Sequence, residues 1–135
     1  MTVIVCSDDD MGIFFNKRRQ SRDSAVTKRI VEITRGSILW LSSYSSQLFA
    51  NERADNIIAD DDFLSKAQND DFCFVEGEDV SDHESKITKI VLFKWNRTYP
   101  HDMILNIDFN NFTLVQRCDF KGTSHKMITE EVWCR

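Results

Sequence analysis

The sequence predicts an α/β fold, a three-layer sandwich whose mixed, mostly parallel sheet ends in a C-terminal antiparallel hairpin. Three observations carry this. Short β-branched or aromatic runs alternate with helical patterns up to Pro100, as parallel strands joined by crossover helices require. Beyond Pro100 the helical patterns stop and strand follows strand. No repeat, linker or low-complexity stretch interrupts the chain, so residues 1–135 read as one domain.

The elements follow from local pattern. Thr2–Cys6 is a β-branched run and reads as a buried strand, ended by Ser7-Asp8-Asp9-Asp10, with Gly12 supporting a turn. Ser21 is the expected helix N-cap, Asp23 falls in the first turn, and Val26, Ile30 and Ile33 make one apolar face. Gly36 stops that helix. Ser37–Leu41 is a second strand, and Ser42–Ser46 caps a short helix ending near Phe49. Asn56–Ala59 is a third strand. Asp60-Asp61-Asp62 starts a helix packed through Phe63, Leu64 and Ala67. Phe72–Val75 is a strand buried on both faces, Asp79–Ser85 a short helix, and Thr88–Trp95 a long apolar strand. Met103–Asp108 is extended, and Phe112–Phe120 with Lys126–Cys134 forms the hairpin around Gly122-Thr123-Ser124.

Composition bounds the function. With 41% hydrophobic and 29% charged residues the chain is globular. A net charge of −5 disfavours broad binding to nucleic acid or a membrane surface, since both present phosphates. No apolar run reaches a membrane-span length, and the N-terminus reads as a strand rather than a secretion signal. Cys6, Cys73, Cys118 and Cys134 contain no C-x-x-C pair and are expected as small buried hydrophobes in a reducing cytoplasm. His83 and His101 lack partners at ligand spacing, so no metal site is expected. Trp40, Trp95 and Trp133 fall on strands as core or half-buried residues. No Walker A, G-x-S-x-G or dinucleotide fingerprint is present.

The stretch Gly12–Asp23 concentrates four cations, Lys17, Arg18, Arg19 and Arg22, between a strand and a helix. Arginine forks match phosphate and carboxylate, and a helix start offers free N–H groups. Asn16, Lys17, Arg18, Arg19, Gln20, Ser21 and Arg22 are therefore the candidate ligand-binding residues, for an anionic small molecule. The alternative is a solvated basic loop pairing with Asp8, Asp9 and Asp10. Phe14 and Phe15 are ligand walls or core anchors. His125, in the last hairpin loop, is a candidate acid or base.

In element order, the chain resembles the dihydrofolate reductase fold family. Val3-Ile4-Val5-Cys6-Ser7-Asp8 with Gly12-Ile13 is similar to that family's first strand and mobile substrate loop. Ile87–Trp95 with Tyr99-Pro100, and the hairpin Phe112–Arg135 with Ser124-His125, are similar to its late strand and ending. The resemblance implies a substrate site at the carboxyl ends of the early strands. It also implies a carboxylate early in the first long helix, where Asp23 is the one in reach and makes the candidate catalytic acid beside His125. Departures are as informative. Where the family has a Gly-Gly pair against its cofactor, this chain has Glu76-Gly77, and Asp60-Asp61-Asp62 stands where the cofactor phosphate would lie. Such like charges repel by several kcal/mol, on the order expected at intermediate dielectric. The expectation is a retained fold binding a nucleotide-, pterin- or phosphate-bearing anion, without standard NADPH-dependent folate reduction and with the cofactor unassigned. The alternative function is a non-catalytic protein-interaction module, such as an acidic immunity protein neutralising a basic toxin.

Overall fold

The computed structural model describes residues 1–135. Its strands are β1 (Thr2–Ser7), β2 (Gly12–Phe15), β3 (Arg18–Arg19), β4 (Leu39–Leu41), β5 (Ile57–Ala59), β6 (Phe72–Val75), β7 (Lys89–Lys94), β8 (Met103–Ile104), β9 (Thr113–Phe120) and β10 (Ile128–Cys134). Helices α1 (Ser24–Thr34), α2 (Ser43–Ser46) and α3 (Phe63–Lys66) are joined by 3₁₀ turns at Gln47–Phe49, Ser81–Lys86 and Phe109–Asn111.

A seven-stranded sheet runs β5-β4-β6-β1-β7-β10-β9. The first five strands are parallel, and β10 is antiparallel to both β7 and β9. Alternate residues of the central strands feed two separate cores. Val3 and Val5 of β1, with Ile90 and Leu92 of β7, pack on the face holding Phe63 of α3. Ile4, Val91 and Phe93 pack on the opposite face, against Val26, Ile30 and Val31 of α1. Burial on both faces explains why these strands read as continuous apolar runs. The three layers and the terminal hairpin are those expected.

Several local expectations need correction. Gly12 begins strand β2 rather than a turn, and β2 forms a small second sheet with β3 and β8. The turn lies at Asn16-Lys17, which take φ of 51° and 61°. Two consecutive left-handed residues between paired strands make a type I′ hairpin, whose twist matches the strands. The N-cap of α1 is Asp23 rather than Ser21: its side chain accepts from the Ala25 N–H at 2.9 Å. The helix face is Val26, Thr27, Ile30, Val31 and Thr34, with Ile33 only partly buried. In Met103–Asp108 only Met103–Ile104 is strand. Cys118 is exposed on the edge strand β9, unlike the buried Cys73, and Cys6 and Cys134 are half-buried; all four cysteines are free.

Lysine in the left-handed region is strained, because its Cβ crowds the backbone. Lys17→Gly is expected to stabilise the fold by about 0.5–1 kcal/mol, raising the melting temperature by roughly 2–4 °C. Thermal unfolding by circular dichroism checks this, and an unchanged or lower midpoint contradicts the hairpin assignment.

Candidate functional site

The parallel strands β1, β6 and β7 end side by side, and the residues after them are Asp8, Glu76 and Trp95. In open α/β sheets this carboxyl edge is where ligands bind. Three carboxylates are buried here: Asp8 (0% exposed), Asp23 (3%) and Glu76 (7%). Such charges are expensive to bury unless each is fully hydrogen-bonded. The segment 19–23 supplies much of what they need, one residue after another.

Arg19 takes Glu76. Its Nε and Nη2 donate to Oε2 and Oε1 at 2.8 and 3.0 Å, a bidentate pair. Ser45 Oγ donates to the same Oε1 at 2.8 Å, and the guanidinium lies 4.4 Å from the Tyr44 ring centroid. Burial works against the arginine's charge, but the hydrogen bonds and charge of Glu76 outweigh it and raise the Arg19 pKa. Gln20 takes Asp8, with Nε2 donating to Oδ2 at 3.1 Å. The same carboxylate accepts from the backbone N–H groups of Gly12, Asp10 and Tyr99 at 2.7, 2.9 and 3.1 Å. Burial alone would raise the Asp8 pKa, and these donors lower it instead. Asp8 is thus a buried anchor for the loop, whereas Asp9 and Asp10 are exposed and form no ion pair with the basic residues.

Ser21 meets His125. Ser21 Oγ and Tyr99 Oη each lie 3.0 Å from His125 Nε2, and Tyr99 Oη donates to Ser21 Oγ at 3.4 Å. His125 Nδ1 lies 3.0 Å from Asp23 Oδ2. The imidazole stacks on Trp95, with centroids 4.5 Å apart and planes 20° from parallel. Asp23 is seated beneath the β9–β10 loop. It accepts from Thr123 N at 2.9 Å, Thr123 Oγ1 at 2.8 Å, Ser124 N at 2.8 Å and His125 N at 3.1 Å. Burial pushes the carboxyl upward, but these donors together hold it well below the usual carboxylate range. Gly122 makes the seat possible: a Cβ there would stand 2.5 Å from Asp23 Oδ2 and 2.8 Å from the His125 carbonyl.

Of the residues singled out in the sequence, Ser21, Asp23 and His125 come together. Arg19 and Gln20 are drawn to two different acids. Asn16 and Lys17 form the hairpin tip, where the Asn16 N–H donates to Asp102 at 3.0 Å, and Arg18 is exposed. The N–H groups opening α1 are already engaged, Ser24 by Thr123 Oγ1 and Ala25 by Asp23. Arg22 is exposed, makes no ion pair and lines a cleft with Ser24, Leu48, Asn51, Glu52 and Thr123. Tyr99, Thr123 and Tyr44 carry no sequence signal for their roles. Glu76, expected only as an obstacle to a dinucleotide, is the buried acid that Arg19 and Ser45 serve. No group of three or more His, Cys, Asp or Glu side chains is arranged to hold a metal ion, and no helix is long and apolar enough to cross a membrane.

No family model and no curated protein matches the sequence. Among solved structures, the chain is similar to a dihydrofolate reductase from Enterococcus faecalis, complexed with NADP(H) and RAB-propyl. The identity is 12%, the match covers 99% of this chain and 95% of that one, and the TM-score is 0.73. The chain therefore has a dihydrofolate reductase-like fold, retained at low sequence identity.

The residues present do not fit the dinucleotide that the resemblance implies. A cofactor there would approach the backbone after the central strand. In this chain the Glu76 carboxylate and its arginine hold that place. The Phe14 ring lies so close to Gly77 that a Cβ would meet it at 2.7 Å. Phe14 also packs edge-on against Tyr44, so it is the core anchor of the pair, and Phe15 is exposed.

Two outcomes test this geometry. Unfolded Asp23 titrates near the ordinary value of about 3.9, while the native carboxyl stays ionised to lower pH. Its contribution to stability is therefore complete above about pH 5 and is lost as pH falls below about 4, by up to about 1.4 kcal/mol per pH unit. Urea unfolding between pH 2.5 and 5 should show Asp23→Asn with an acid limb shallower by one proton; an identical slope contradicts the buried carboxylate. Gly122→Ala is expected to destabilise by about 1–3 kcal/mol through overpacking onto Asp23, measured as a lower urea midpoint. A neutral effect would place the loop elsewhere.

Proposed function

We propose that the protein is a cytoplasmic small-molecule-binding protein that takes a compact anionic ligand, phosphate- or carboxylate-bearing, in the cleft beside α1. One observation carries this reading: Arg22 is the cation of the 17–22 cluster that lines a cavity while having no acidic partner. The cavity is about 210 Å³. That is below the roughly 300–1,000 Å³ of pockets for drug-sized ligands, so a small polar head group is the better match. Leu48 is its one hydrophobic wall. Ser24, Thr27, Thr123 and Ser124 add hydroxyls and Asn51 an amide, and Arg22 offers a planar fork suited to oxyanions. Glu52 lines the same cleft, which favours a ligand that pairs its anionic group with a hydrogen-bond donor, as nucleotide, pterin and sugar-phosphate head groups do. Asn16, Lys17 and Arg18 lie at the β2–β3 turn, outside the lining of the cleft, and only Lys17 and Arg18 of the three are charged. Arg19 is satisfied internally by Glu76 and is not assigned to the ligand.

Thermal-shift screening with nucleotides, folates and phosphorylated metabolites checks the reading. A ligand at about 100 times its dissociation constant should add about 2.7 kcal/mol of stability. Arg22→Ala should remove that gain while melting like wild type without ligand. No shift with any anion, or an equal shift in the variant, overturns the proposal.

A further inference from the structure

We propose that Ser21, His125 and Asp23 form a nucleophile–base–orienter array, and that the protein carries an acyl-transfer activity that hydrolyses small esters through a Ser21 acyl intermediate. The inference does not rest on the Arg22 cleft.

The geometry is directional. Asp23 Oδ2 faces His125 Nδ1 at 3.0 Å, and every other donor around that carboxylate keeps it ionised, so Nδ1 carries the ring hydrogen. Nε2 is then the acceptor, and both groups within reach of it are hydroxyls, Ser21 and Tyr99, each at 3.0 Å. Trp95 fixes the ring plane from one side. A serine hydroxyl hydrogen-bonded to an imidazole whose other nitrogen is held by a buried carboxylate is the arrangement by which serine becomes a nucleophile, whatever the fold. Tyr99 Oη, 3.4 Å from Ser21 Oγ, is a hydroxyl donor beside the nucleophile. Two clefts open beside the array, sharing Ser124. One holds Arg22 and Asp23; the other, about 450 Å³, holds His125, Arg97 and Lys126. The second carries two cations, Arg97 and Lys126, and no carboxylate, which suits an ester whose acid or alcohol portion is anionic.

The chemistry balances with water as the sole co-reactant. Ser21 Oγ bonds to the ester carbonyl carbon while its proton passes to His125 Nε2, and Asp23 stabilises the imidazolium. The tetrahedral adduct collapses by breaking the bond to the alcohol oxygen, which leaves with the proton from His125. Water then adds to the acyl carbon, giving its proton to His125. The bond to Ser21 breaks and Oγ recovers the proton, releasing the carboxylic acid.

The test uses two uncharged probes on the full chain: diisopropyl fluorophosphate, read by intact mass and peptide mapping, and p-nitrophenyl acetate, read by p-nitrophenol release. The expected result is one diisopropylphosphoryl group per chain on Ser21 with loss of fluoride, no adduct in Ser21→Ala, and ester hydrolysis at least about a hundredfold faster in wild type than in His125→Asn. Melting curves of the variants separate loss of activity from loss of fold. Where His125→Asn does not fold, the isosteric Ser21→Ala comparison decides. Folded wild type that gains no adduct on Ser21 and hydrolyses the ester no faster than Ser21→Ala overturns the proposal. Because neither probe is charged, that failure leaves the anion cleft untouched, and failure of anion binding leaves this result standing.

Discussion

Three carboxylates removed from water at one edge of a parallel sheet are the constraint around which the rest of this structure is arranged. A buried carboxylate without donors is several kcal/mol uphill, so each acid dictates its surroundings. Glu76 requires the Arg19 fork and Ser45; Asp8 requires the turn at Asp10–Gly12, the Gln20 amide and the backbone at Tyr99; Asp23 requires the β9–β10 loop wrapped around it. Together these demands lace residues 12–23 to the ends of β1 and β6 and to the terminal hairpin. The segment is a hairpin pinned down at each residue from Arg19 to Ser21, with Asp23 beneath it.

The three layers and the parallel strands were legible because both-face burial writes itself as unbroken apolar runs, as in Val3-Ile4-Val5 and Ile90-Val91-Leu92-Phe93; the strand order was not, since apolar runs do not say which strand lies beside which. The hairpin was legible because strand pattern recurs on both sides of Gly122. The β2–β3 hairpin was not: its turn is Asn16-Lys17, a lysine where the type I′ turn favours glycine, and its strands are too short for a period. The helix cap shifted from Ser21 to Asp23 because tertiary partners decided between two good capping residues, His125 drawing the serine away.

The site was legible in part. Residues 16–23 and His125 were marked by type and placement. Their pairing was not, because it joins positions about a hundred residues apart through a loop closure that sequence spacing does not encode. The charge of the arginine cluster suggested a ligand, yet Arg19 answers an internal acid from β6. Glu76, in sequence an obstacle to a cofactor, is also the reason the arginine turns inward. On this fold the residues form a network of buried acids, a small polar cleft and a histidine between a serine and an aspartate.

Hydrogen–deuterium exchange with peptide-level resolution over residues 8–25 and 96–127 tests this most directly. If the buried acids pin the segment, the amides of Gly12 and Tyr99 held by Asp8, of Arg19 held by Tyr44, and of Ser124 and His125 held by Asp23 exchange as slowly as those of the central strands β1 and β7. Exchange at the rate of exposed loops, with β1 and β7 still protected, would contradict it.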